Sequence, residues 1–266
     1  MPQAVIPPKP ILRLTGQAIA DYAMIRPGDR LLLGVSGGKD SLSLLHTLLH
    51  LRAKAPFQFE LGAATVDPGI EGFDPSFLKD YIPSLGVPYF YRRQEIVERA
   101  LKTMRGNSFC AYCSRMRRGI LYATAREQGY NVLVLAQHLD DLAESFLMSV
   151  MHNGRLRTMK AHYVIDAGDL RVVRPFVYVR ERQTVDFARH AGFPVIMDNC
   201  PACFRMPTER MRVKQLLADQ EKARPKLFRS LLSAMRPLML DLSINPGFVQ
   251  ETEDASPTTE PKLKVM

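Results

Sequence analysis

Two periods of hydrophobic residues organise this chain. Short apolar runs closed by turn signals read as buried strands. Residues 30–35 run into Gly37-Gly38, 59–66 into Asp67-Pro68-Gly69, and 170–174 into Pro175; 88–92 and 132–136 complete the set. Between the runs, apolar residues return every three or four positions, as in Leu42, Leu45, Leu48 and Leu49. They predict helices at 10–25, 40–53, 75–85, 95–103, 114–128 and 139–151, and three more near 180–190, 208–221 and 225–236. Alternating strands and helices imply an α/β fold: a Rossmann-like parallel five-stranded sheet with helices on both faces, plus C-terminal helices. Ligands of such sheets sit at the carboxyl ends of the strands. Gly37-Gly38, Asp67 and the group His138, Asp140 and Asp141 all fall there.

Composition narrows the class. The chain has 266 residues, 46% of them hydrophobic, enough for one sizeable core. The expected division is an N-terminal helix and arm over 1–29, a main domain over 30–240 and a disordered acidic tail over 241–266, Pro-, Thr- and Glu-rich from 246 on. No apolar stretch approaches the ~18–20 residues of a membrane span, and the N-terminus lacks a signal-peptide layout. Four cysteines in two C-x-x-C pairs point to a reducing compartment, taken as the cytoplasm, and to a metal or redox role. The net charge of +9 is unevenly spread: residues 92–126 carry +7 and residues 205–236 carry +6. Such blocks steer polyanions, and both adjoin a cysteine pair, which favours a nucleic-acid substrate brought to a metal site.

The most specific local signal is Ser36-Gly37-Gly38-Lys39-Asp40-Ser41. A strand, a tight glycine turn and a helix start follow one another there. Glycines allow close backbone approach to a ligand, and free N–H groups of the turn and first helical turn favour an anion. Lys39 adds a mobile positive charge, and Ser36 and Ser41 add hydroxyls. The spacing is not that of the Walker A loop or of the dinucleotide fingerprint. An Asp in a phosphate loop would repel its ligand unless it holds a cation, so Asp40 is expected to contact Mg²⁺. The hexapeptide resembles the PP-loop of ATP pyrophosphatases, which cut ATP between the α and β phosphates. An ordinary strand–turn–helix is the plain alternative.

Cys110-Ala-Tyr-Cys113 and Cys200-Pro-Ala-Cys203 suit zinc, an iron–sulfur cluster or a disulfide. The 86 residues between the pairs weigh against a zinc ribbon, whose knuckles lie within ~15–20 residues. Neither pair opens the βαβ unit of a thioredoxin-like dithiol; a metal-free buried pair stays open. Asp140 and Asp141, at the start of a helix, either cap it or stand beside ATP, holding Mg²⁺ or positioning the reacting base, with His138 donating to a phosphate or ribose.

Taken together, the PP-loop, C-x-x-C-S-R-x-R-R-G-I-L-Y, H-x-D-D and the late C-x-x-C resemble the tRNA 2-thiocytidine synthetase family over roughly residues 10–240. The resemblance implies ATP-dependent replacement of the C2 oxygen of tRNA cytidine 32 by sulfur, with Mg²⁺ and a 4Fe–4S cluster. It implies Cys110, Cys113 and Cys203 as cluster ligands, leaving Cys200 spare or a sulfur relay. Arg117 takes the place of a catalytic basic residue of the related 2-thiouridine synthetases; a guanidinium does not shuttle protons, so its role is at a phosphate or the transition state. Adenine is expected over Val66 and Asp67. Arg115, Arg118, Arg155, Arg157, Arg212, Lys214 and Lys222 are expected to hold tRNA. A sulfur donor, either a cysteine desulfurase or free sulfide, and a homodimer complete the expected partners. The chain departs from the family where it has Ala136-Gln137-His138-Leu139, His152-Asn153-Gly154-Arg155 and Phe204-Arg205-Met206-Pro207. These stretches surround the base-binding side and leave the target nucleotide open, uridine included. A zinc-stabilised PP-loop ligase or amidotransferase, or a zinc-stabilised RNA-binding module, would keep the loop pattern without the cluster.

Overall fold

A computed structural model describes residues 4–69, 72–103, 109–196 and 208–241. The elements run α1 (Lys9–Asp21), β1 (Arg30–Gly34), α2 (Lys39–Lys54), β2 (Glu60–Asp67), α3 (Ser76–Ser84), β3 (Tyr89–Arg93), α4 (Ile96–Thr103), α5 (Phe109–Glu127), β4 (Val132–Val134), α6 (Leu139–Asn153), β5 (His162–Val164), β6 (Arg171–Val173), α7 (Glu181–Ala191), α8 (Glu209–Ala223) and α9 (Leu227–Met239).

The sheet order is β3-β2-β1-β4-β6-β5, with every pairing parallel except β5 against β6. Apolar residues on both faces of each central strand explain the burial. Leu31 and Leu33 of β1, with Val132 and Val134 of β4, enter a core shared with α1, α2, α3, α6, α7, α8 and α9. Leu32 and Leu133, one position out of phase, enter a smaller core with Ile96 of α4 and Ile120, Leu121 and Ala125 of α5. The two-residue period of a strand thus serves two cores at once.

The five expected strands are present, but the sheet has six. The additional strand, β5, is only three residues long and lies at an edge, too short to show alternation. It joins β6 through a tight turn at Asp166–Asp169, in which Ile165 N–H donates to Leu170 O and Gly168 takes φ +78°. The other revision concerns α5, which begins at Phe109 rather than Ser114 and so takes in the first cysteine pair.

β1 leads on one side to β2 and on the other pairs with β4, so the strand order reverses between them. Ligands of open α/β sheets bind in the crevice at such a point. The loop after β1 and the N-terminus of α6 both open onto it.

Candidate active site

The loop after β1 is fixed by its glycines. Gly37 has φ +81°, a region L side chains rarely adopt. Its carbonyl accepts the N–H of Ile196 at 3.0 Å, and a Cβ on Gly37 would lie 2.3 Å from Ile196 Cδ1. Gly38 is the N-cap of α2 and offers no side chain, so the first-turn N–H groups of the helix have no cap. Ser41 Oγ donates to Gly38 O at 2.9 Å, and Ser36 Oγ accepts from Gly38 N–H at 3.3 Å. A turn of N–H groups with two hydroxyls beside it is an anion cradle.

Charge is placed around that cradle by α7. Lys39 Nζ lies 2.9 Å from Asp40 Oδ2 and 3.1 Å from Glu181 Oε1. The other oxygen of Glu181 meets Lys214 of α8 at 2.6 Å. Thr184, buried on α7, donates to Asp40 Oδ1. Burial works against charge on Lys39, but Asp40 and Glu181 outweigh it and raise its pKa. Burial likewise opposes charge on Glu181, but Lys214 and Lys39 outweigh it and bring its pKa down to about 2.

The start of α6 forms the opposite wall. His138 Nδ1 accepts the N–H of Asp141 at 3.3 Å, while Asp141 Oδ2 accepts the N–H of His138 at 3.1 Å, a reciprocal cap. With Nδ1 accepting, a neutral ring carries its proton on Nε2, which faces Asp40 Oδ2 at 3.8 Å. Asp140 is held by Arg180 Nε at 3.1 and 3.2 Å and by the N–H of Glu181 at 2.7 Å. Arg180 also forks onto Glu221 of α8 at 2.7 and 2.8 Å and lies 3.3 Å from the ring centre of Phe228. Asp140 is therefore a brace between α6 and α7, and Asp141 a helix cap. The capping reading of Asp141 is what the structure shows, and the cap stands at the crevice.

A cavity of about 460 Å³ opens behind Glu181, between α7, α8 and α9. Glu144, 3% exposed beside it, has its carboxyl pushed up to about 7 by burial, with Asp141 adding to the shift and Arg210, 3.3 Å away, opposing it. Its folded pKa lies above the unfolded value, so between pH 4.5 and about 7 the folded state binds the extra proton and stability falls as pH rises. Glu144→Gln is expected to flatten that fall, gaining on the order of 1–3 kcal/mol relative to wild type at pH 8. Urea unfolding at pH 5 and pH 8 measures it; equal pH slopes in the two proteins would reject the assignment.

The remaining expected residues fall into three groups. Val66 and Asp67 end β2; Asp67 is buried and accepts Gly69 N–H at 2.9 Å and the Tyr91 hydroxyl. Burial, reinforced by Asp67, pushes the Tyr91 hydroxyl up to about 12. On α5, Cys113 is half-buried against the smaller core, Arg115 is exposed, and Arg117 and Arg118 are half-buried. The Nε of Arg117 is buried with no hydrogen-bond partner among the described residues. Leu121 of the same helix stands 3.1 Å from where a Cβ on Gly34 would sit, which sets Cys113 two turns, ~12 Å, further along the helix axis. The backbone of Cys110 belongs to α5, whereas Cys200, Cys203 and the 204–207 departure lie outside the described residues, as does the acidic tail beyond 241.

Of the basic residues, Arg155 and Arg157 are exposed and line an open hollow of about 350 Å³ at the end of α6 with Ser149 and Asn153. His152 of α6 and Arg212 of α8 share Glu209, at 3.7 and 2.6 Å, so these two helix ends adjoin. Lys222 pairs with Asp219 at 2.8 Å. Glu181, Thr184, Arg180 and Ile196 were not expected from the sequence.

A sheet with this reversal, an uncapped glycine loop and a lysine held over it define a PP-loop ATP-binding domain. A family model described as a PP-loop domain matches residues 11–220. Within that class the chain belongs to the tRNA-cytidine(32) 2-sulfurtransferase family. It is 40% identical to the tRNA-cytidine(32) 2-sulfurtransferase of Geobacter sulfurreducens over 228 residues, covering 85% of this chain and 89% of the relative. It is 41% identical to that of Pelobacter propionicus over 221 residues, covering 83% and 82%. In fold it is similar to the U34-tRNA thiolase NcsA of Methanococcus maripaludis, a structure with its 4Fe–4S cluster, at a TM-score of 0.69 and 20% identity over 87% of this chain and 78% of that one. No helix among the described residues is long and apolar enough to cross a membrane.

Proposed function

We propose that this chain is an ATP-dependent tRNA sulfurtransferase that activates the C2 oxygen of cytidine 32 by adenylation and replaces it with sulfur. The observation that carries the reading is the Gly37–Ser41 loop, with Lys39 held above it at the reversal point of the sheet, in a chain about 40% identical to named cytidine-32 sulfurtransferases. The pyrophosphate of ATP sits on the first turn of α2, and Lys39, still held by Glu181, exchanges its contact with Asp40 for the phosphates. Asp40 then has an oxygen for Mg²⁺ while Thr184 fixes the other. The C2 oxygen of the base attacks the α phosphorus, and pyrophosphate leaves along the loop. A carbonyl oxygen is a poor leaving group and AMP a good one, so sulfur added at C2 expels AMP. Arg117 balances charge on the α phosphate.

The donor chemistry of the cysteines fits an iron–sulfur cluster. Cys110 and Cys113 are three residues apart in sequence, the C-x-x-C spacing that suits two ligands of one cluster. Ile196, bonded to Gly37, precedes Cys203 by seven residues, and covalent geometry keeps that tether within ~25 Å. A 4Fe–4S cluster held by Cys110, Cys113 and Cys203 would supply an iron with an open position for the incoming sulfur, with Cys200 left to relay it. The sulfur donor is a cysteine desulfurase or free sulfide, and the compartment is the cytoplasm.

Arg115, Arg118, Arg155, Arg157, Arg212 and Lys222 hold the tRNA backbone, and Lys214 joins them through a remaining N–H while it stays paired with Glu181. The pairs of Arg212 and Lys222 are exposed and worth little in water, so phosphates displace their carboxylates readily; Lys214 is more firmly engaged. A base in a single-stranded loop leaves its stack cheaply for such a site. Arg155→Ala with Arg157→Ala is expected to weaken tRNA binding and flatten its salt dependence by ~0.7–0.9 log units per lost phosphate contact. An affinity unchanged between 50 and 200 mM salt would reject the clamp. The whole reading is tested by incubating anaerobically purified protein with ATP, Mg²⁺, sulfide and unmodified tRNA, then analysing the nucleosides. 2-thiocytidine with stoichiometric pyrophosphate supports it, 2-thiouridine moves the target, and pyrophosphate without thiolation favours a ligase.

A further inference from the structure

We propose that Glu181 is a positioning residue for the reaction: it sets the Lys39 ammonium over the phosphate cradle, with Lys214 anchoring Glu181 from behind. The inference rests on the ATP chemistry proposed above. A lysine at the first position of a helix has four rotatable carbons and no intrinsic reason to hold one direction. Asp40, its neighbour, supplies one contact, but Asp40 is needed for the cation that accompanies ATP. The second contact comes from the far side of the crevice, where Glu181 opens α7.

Three features give this carboxylate the required stiffness. Its backbone N–H is tied to Asp140 at 2.7 Å, so the residue carrying it cannot slide. Its two oxygens are divided between two ammonium groups, Lys39 at 3.1 Å and Lys214 at 2.6 Å, which fixes the plane of the carboxylate. The same helix holds the other charged loop residue through Thr184 and Asp40. One element thus grips both Lys39 and Asp40 of the loop. The four charges Lys39, Asp40, Glu181 and Lys214 sum to zero, so this group carries no net charge toward an incoming polyanion. Lys39 is then free to exchange a carboxylate for a phosphate oxygen without leaving its place.

Electrostatics and positioning predict opposite signs for one substitution. Glu181→Gln removes a negative charge beside a site for a polyanion, so charge alone predicts tighter ATP binding and no loss of rate. A positioning role predicts that kcat for pyrophosphate release falls by about tenfold to a hundredfold, the size expected of a displaced catalytic group, while the Kd for ATP is unchanged or lower. Glu181→Asp keeps the charge on a shorter arm and is expected to recover part of the lost kcat. A second measurement needs no turnover: amine acylation of Lys39 in the nucleotide-free protein, followed by peptide mass spectrometry. Without Glu181 the amine loses the contact that holds and covers it on the far side of the crevice, so Lys39 is labelled faster in Glu181→Gln than in wild type. Wild-type kcat in Glu181→Gln, or an unchanged labelling rate, overturns the proposal. So does a fall in melting temperature with weaker ATP binding and equal losses in both variants, which marks a purely structural brace. If wild-type protein releases no pyrophosphate with tRNA present, the ATP chemistry fails, and the labelling rates still decide the Lys39–Glu181 link.

Discussion

Lys39→Ala is expected to reduce ATP cleavage by about 10²–10³-fold, equivalent to ~3–4 kcal/mol of transition-state stabilisation. Two effects add. The variant loses the cation that meets charge developing on the departing pyrophosphate. It also leaves Asp40 and Glu181 without the ammonium between them, so two carboxylates face an incoming polyanion. ATP binding weakens as well, which separates this variant from Glu181→Gln. Asp40→Asn keeps the oxygen that accepts from Thr184 but lacks a full charge for Mg²⁺; its residual rate is expected to lose most of its Mg²⁺ dependence. Pyrophosphate release with bulk tRNA, measured across a Mg²⁺ titration, checks both. Wild-type rates in Lys39→Ala would remove the loop from the mechanism. Neither substitution touches the cysteine segments, so iron content should stay at the wild-type level in both, and a loss of iron would mean that the loop serves the fold rather than ATP.

The parts of this site that are written locally were legible. Leu31–Val35, two glycines and a leucine-spaced helix give strand, turn and helix from neighbours in sequence, and the loop stands where that pattern puts it. Alternating strands and helices gave the parallel sheet, but its strand order, with the reversal between β1 and β4, is set by packing between distant segments. What escaped is contact between distant segments. Arg180-Glu181-Arg182 reads as the exposed start of a polar helix, yet Glu181 meets a lysine 142 positions earlier and Arg180 joins α6 to α8. No local pattern announces a carboxylate whose partners arrive from two other elements. Lys214, Arg212 and Lys222 were counted as a block of positive charge, but each has a carboxylate partner in the fold. Summed charge gives the sign of a surface correctly and overstates the number of cations open to phosphate. Strand β5 failed for a different reason: three residues carry no period, and only the turn Asp166-Ala-Gly168-Asp169 marked it.

Cys113→Ala is expected to abolish the iron–sulfur cluster and tRNA thiolation together while leaving ATP-dependent pyrophosphate release within a few-fold of wild type. Cys113 is half-buried beside the smaller core, near Tyr112 and Met116, and removing its sulfur there costs little packing, of the order of 1 kcal/mol. The fold survives, so a lost cluster reports ligation rather than unfolding. The ATP cradle is built from Gly37–Ser41, Glu181 and Thr184, none of which lies on α5. Adenylation and sulfur delivery therefore come apart in this variant, with nucleotide cleaved and no 2-thiocytidine formed. The same assay on the other cysteines decides the ligand set: Cys110→Ala and Cys203→Ala should match Cys113→Ala, whereas Cys200→Ala should keep its iron and acid-labile sulfide after anaerobic purification. Equal loss of iron in Cys200→Ala would make the site a four-cysteine one with no open iron for sulfur. Zinc in place of iron in the wild-type protein would turn the two pairs into a structural knot and leave sulfur transfer without a carrier.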